Sequence, residues 1–241
     1  MDVKQTKALD TMVEDLRDSL GDLLVGVLLH GAEARGDHFG AARDLFLLIV
    51  LRDLTPETLR KLRPPVGRWL KKGHPIPRLF SPTTIAESAD TFPIELLDIA
   101  SHKRVLHGED PFGQIEVDPQ HLRLQCEREL REKLMRLREG YVESRGRSSD
   151  LERLLIASYV AFTDIFRGCL RMLGCEVPNS AVEVVAALCS KVDLDPAPFT
   201  AIDQLARGNP ASTDLDELFS RYYGQLIKTV HIVDRFGGQA S

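Results

Sequence analysis

The stretch Leu23–Asp53, LLVGVLLHGAEARGDHFGAARDLFLLIVLRD, decides the fold. An apolar run from Leu23 to Leu29 has the length of a strand, and a second runs from Leu45 to Leu51. Between them lie a Gly-containing turn at His30-Gly31-Ala32 and a small, polar, Gly-rich loop to Arg43. Short apolar runs bounded by turn formers predict two buried strands, with a loop and one helical turn between them. Upstream, Leu9, Met12, Val13, Leu16 and Leu20 recur at helical spacing before Gly21, so a helix over Val3–Leu20 leads into the first strand.

This order resembles the nucleotidyltransferase superfamily, whose signature is a strand, Gly-Ser, a short helix, and a strand bearing Asp-x-Asp. Where common members read LFGSRARGD…SDIDLLVVL, this chain reads LHGAEARGD…ARDLFLLIVL. Gly31, Ala34, Arg35, Gly36 and Asp37 fall on matching positions, and Asp44 falls on the first metal-binding carboxylate. The resemblance implies a phosphate-binding turn at Gly31, Ala32, Arg35 and Gly36. For an active member it also implies Mg²⁺ with a nucleoside triphosphate, held by Asp44. The chain departs from the pattern at Ala32, where the motif has Ser, and at Phe46, where it has the second Asp.

Those departures bear on the chemistry. Two-metal nucleotidyl transfer needs several carboxylates to hold the ions against the triphosphate and activate the attacking hydroxyl. Acids at alternate strand positions share one face of a sheet, so Asp44 and Phe46 are expected to share one, and a phenyl ring offers no oxygen ligand. Losing the Ser hydroxyl matters less, because backbone N–H groups can still hold a phosphate. The family's next strand carries a third acid, and no Asp or Glu occurs between Gly73 and Ala86. Replacement ligands would be Glu95 and Asp98, three apart on a helix expected over Asp90–Ala100, or Asp37 in the loop. The plainer reading makes Glu95 and Asp98 surface or salt-bridged acids and Asp37 a turn former.

Elsewhere in this half, Thr55-Pro56-Glu57 reads as a cap, with a helix to about Leu62 that stops before Pro64-Pro65. Val66–Lys72 reads as a further turn carrying Trp69, and Pro75–Ser81 as an extended segment. The stretch RVLHGEDP at Arg104–Pro111 resembles the vLyGeD segment that closes the same family's domain.

Pro111, Gly113 and Pro119 mark a boundary, giving expected domains 1–115 and 118–241. Beyond it, long amphipathic helices are predicted over His121–Tyr141, Ser149–Leu173, Ser180–Leu188, Phe199–Ala206 and Asp214–Arg235. The expected fold is therefore α+β: a nucleotidyltransferase-like mixed sheet with flanking helices, then an all-α antiparallel bundle. Such a bundle resembles those appended in several nucleotidyltransferase families and HEPN-type bundles. Arg221 and His231 lie too far apart for the Arg–spacer–His motif of the ribonuclease members.

A net charge of -5 argues against a chain wholly dedicated to nucleic acid. No apolar run approaches membrane-span length, the polar start MDVKQTKALD is unlike a secretory signal, and Cys126, Cys169, Cys175 and Cys189 form no metal-ligand spacing, so a cytoplasmic protein with free thiols is expected. Three functions follow. One is a catalytically impaired nucleotidyltransferase-like binder of a nucleotide, phosphate ligand or partner. Another is an active Mg-dependent enzyme using Asp44 with non-standard acids. The last is an RNA-binding or scaffolding protein acting through the bundle, where Arg145 and Arg147 sit in an expected flexible link and pairing of two copies is plausible.

Overall fold

A computed structural model describes residues 3–36, 44–113, 115–210 and 213–236. The chain divides into two compact units, Met1–Val117 and Asp118–Ser241.

In the first unit, α1 (Val3–Leu20) leads through a 3-10 turn into β1 (Leu24–His30). The single turn α2 (Ala32–Arg35) follows, and then β2 (Phe46–Leu51), antiparallel to β1 with His30 opposite Phe46. β3 (Arg78–Phe80) lies parallel to β2, and β4 (Lys103–Gly108) lies antiparallel to β1 on its other side, giving the order β3-β2-β1-β4. This is the mixed sheet expected from the sequence.

Alternation along the strands sends side chains to two cores. Val27, Leu29, Leu47, Ile49 and Leu51 pack with Leu9, Met12 and Leu16 of α1 and with Leu62 and Trp69 of α3 (Pro56–Lys71). Leu28, Leu48 and Val50 pack with Ile85 of α4 (Pro82–Glu87) and Leu96 and Ile99 of α5 (Pro93–Ser101). Each such buried side chain contributes about 2 kcal/mol of transfer free energy.

One local expectation changes. Pro64 and Pro65 do not end the helix: α3 runs through both. Proline at position 65 removes the N–H that would bond the Lys61 carbonyl. Ser19 of α1 supplies the missing donor, its hydroxyl lying 2.6 Å from that carbonyl oxygen, while Leu62, Pro65 and Trp69 bury the same face. The expected extended segment holds β3, and α4 follows it, with Ser81 and Thr84 forming a reciprocal capping box around Pro82.

The second unit holds α6 (Pro119–Ser144), α7 (Ser148–Met172), α8 (Ala181–Val192), α9 (Ala197–Ala206) and α10 (Leu215–Phe236). Its core is aromatic: Phe199 meets Phe166 edge-on at 5.7 Å and Tyr222 at 5.3 Å between ring centroids. Gly140 lies inside α6, where an added Cβ would stand 2.6 Å from a Leu154 methyl. Small size there lets α6 and α7 approach.

The residues linking α6 to α7 form a tight turn rather than a flexible link. Arg145 and Gly146 both take positive φ, and the Arg147 N–H bonds the Ser144 carbonyl at 3.0 Å. Arg147 pairs with Asp150. Along α6 ion pairs form four residues apart, Arg131 with Glu127 at 3.0 Å and Lys133 with Glu129 at 3.3 Å. Much of this helix's basic charge is thus neutralised along its own length. Arg221 approaches Asp195 at 3.4 Å, and His231 is exposed. The four cysteines are free thiols, and no described helix is long and apolar enough to cross a membrane.

Candidate functional site

The site gathers where β1 ends and α2 begins. Gly31 takes φ 77° and ψ -156°, a region that only glycine enters readily. An added Cβ would lie 3.3 Å from Cδ2 of Phe46, so the phenyl ring packs directly over the turn. Ala32 then starts α2, and Gly36 closes it in the left-handed region at φ 73°. Asp37 lies outside the described residues.

Arg35 does not extend into solvent. Its Nη1 donates to Asp98 Oδ2 of α5 at 2.6 Å, and the two side chains are only 10% and 21% exposed. His102 Nδ1 lies 3.7 Å from the other oxygen of the same carboxylate. Asp98 thereby joins the motif turn as an ion-pair partner, in line with its plainer reading from sequence. A carboxylate bound to guanidinium at this distance is a poor candidate for a metal ligand, since a cation would have to displace the arginine.

His30, opposite Phe46, is 8% exposed. Burial, then the positive charge of Arg78, lower its pKa to about 4; Asp98 opposes this and Arg35 adds to it. The imidazole is therefore neutral at pH 7. In the unfolded chain it protonates near 6.5, so between pH 6.5 and about 4 the unfolded state binds the extra proton and stability falls as the pH is lowered. The full effect is about 3 kcal/mol. Urea unfolding at pH 7 and pH 4.5 should show this loss in the wild type and a smaller loss in His30→Gln.

Asp44, the matched first acid, is exposed and lies two positions before the start of β2. Its negative charge is felt at His74, whose pKa is lowered chiefly by burial and by Lys72 against the pull of Asp44. The His74 ring stacks on Trp69 at 3.9 Å. Glu95 lies in the first turn of α5 and is half-buried. Among the described residues no three His, Cys, Asp or Glu side chains gather to hold a metal ion.

Local pattern alone does not single out His30 or Arg78. The alternation Arg78-Leu79-Phe80 already puts Arg78 on the same face as Phe80, but which face that is depends on strand register. Leu48 pairs with Arg78 and Val50 with Phe80, and Phe80 packs with Leu48 and Val50 against α4 and α5. Arg78 therefore belongs to the face of His30 and Phe46.

No family model and no curated protein matches the chain. Among solved structures it is similar to spectinomycin adenyltransferase AAD(9) from Enterococcus faecialis, crystallised with ATP and spectinomycin. The match has a TM-score of 0.51 and 12% identity, and covers 92% of this chain and 98% of that one. At such identity the likeness speaks for the fold alone, and that fold is nucleotidyltransferase-like.

Proposed function

We propose that this protein is a nucleotidyltransferase-like binder that holds the phosphate end of a nucleotide beside the Gly31–Gly36 turn and lacks the metal chemistry of transfer. The observation that carries this reading is Phe46, whose ring covers Gly31 at the position where the resembled motif has its second acid. The aromatic ring offers no oxygen ligand to Mg²⁺, a hard cation held by carboxylates, carbonyls and water. The fold supports a nucleotide as ligand, since the similar adenyltransferase was crystallised with ATP. The alternative of an active enzyme would require Asp44 to recruit acids that the described residues do not bring to it.

Calorimetric titration with ATP, GTP, CTP and UTP, each with EDTA and with Mg²⁺, tests the reading. Binding of at least one nucleotide in EDTA is expected, with no gain from Mg²⁺. Binding that appears only with Mg²⁺ would restore the active-enzyme reading, and no binding of any nucleotide would remove the nucleotide altogether.

A further inference from the structure

The segment that carries an acid in the resembled family carries a cation here. Arg78 opens β3 opposite Leu48, on the sheet face that also holds Phe46 and His30. β3 runs parallel to β2 and Arg78 is its first residue, so it lies toward the end of the face where Phe46 begins β2. His30 ends antiparallel β1 at that same end. The Arg78 side chain is exposed, and among the described residues it has no hydrogen-bond or ion-pair partner, whereas Arg35 is engaged by Asp98 and Lys103 by Asp110 at 3.0 Å. Its charge reaches His30 strongly enough to be the largest electrostatic influence there after burial. The other charges that reach His30, Arg35 and Asp98, are paired with each other, so the exposed Arg78 guanidinium is placed to receive an anion rather than to complete an internal pair.

We infer that Arg78 is the anion-binding residue of this face, donating to phosphate oxygens of a nucleoside polyphosphate and supplying with a fixed charge what a divalent cation supplies in a metal centre. This rests on the nucleotide-binding reading above. Because the guanidinium and Mg²⁺ neutralise the same oxygens, they compete. Excess Mg²⁺ therefore weakens binding, the opposite of its effect on a metal-dependent transferase.

The probes are ATP and inorganic tripolyphosphate, titrated into the full chain with EDTA or with excess Mg²⁺. The wild type should bind both more tightly in EDTA. Arg78→Gln should weaken both by about tenfold or more, the scale of a lost charge-assisted contact, while Arg78→Lys retains part of the affinity. Circular dichroism checks that the variants are folded, which the exposure of Arg78 leads one to expect. ATP binding by the wild type with Arg78→Gln within twofold of it would overturn this inference and leave the nucleotide reading standing. Absence of ATP binding in the wild type would overturn both. If Arg78→Gln proves unfolded, the wild type still decides, because tightening by Mg²⁺ contradicts a competing guanidinium.

Discussion

Replacing Gly108 with Ala is expected to destabilise the first unit by about 4 kcal/mol. Gly108 ends β4 with φ 72°, opposite Gly26 of β1. An added Cβ would lie 2.1 Å from the Val25 carbonyl oxygen, a backbone atom that already accepts the Glu109 N–H at 3.0 Å. A Cβ added at Gly26 would likewise stand 2.5 Å from the Glu109 carbonyl oxygen. Two costs add here: left-handed strain of about 1–2 kcal/mol, and the displacement of one strand from another. Gly73→Ala separates them, because Gly73 has φ 83° with nothing within 4 Å of its added Cβ. That variant should lose only the strain. Trp69 is the only tryptophan and is buried in this unit, so its fluorescence during urea unfolding reports both variants. Equal losses for the two would mean that the strands yield without cost.

In the second unit the largest expected loss follows Arg167→Met, at about 3 kcal/mol. Arg167 lies within α7 and is 2% exposed. It donates from Nη1 to the Pro178 carbonyl at 2.7 Å and from Nη2 to the Asn179 carbonyl at 2.9 Å. These carbonyls belong to the loop entering α8, where the Ser180 side chain caps the helix by accepting the Glu183 N–H. Methionine keeps much of the stem volume and removes the donors, leaving two carbonyls to find other partners. Arg167→Lys keeps the charge but loses the planar fork, so it should recover only part of the loss. Circular dichroism during urea unfolding measures both, and a loss below about 1 kcal/mol would mean that water replaces the guanidinium.

Much of the architecture is legible in local pattern. The spacing of Leu9, Met12, Val13, Leu16 and Leu20 marks α1, and all are buried but Val13, which packs partly buried against the same core. The two apolar runs become β1 and β2, and Gly31 is indeed the residue whose backbone the turn demands. Of the stripe Leu122, Cys126, Leu130, Leu134, Leu137 and Tyr141, all but the half-buried Tyr141 lie on the buried face of α6. These features depend on neighbours within a turn or two of helix or along one strand, the range over which periodicity carries information.

The candidate site is a different matter. Phe46 and Asp44 were visible as a departure from and a match to a motif, but what surrounds them was not. Arg35 meets Asp98 across 63 positions of sequence, Ser19 relieves the proline break through Lys61 across 42, and Arg78 acquires its face only when β3 pairs with β2. By itself the sequence determined the elements, the glycine turn and the amphipathic helices, because propensity, capping and periodicity are local. Only the tertiary structure decided which charges share the sheet face, because strand register and helix packing join residues that no local pattern relates.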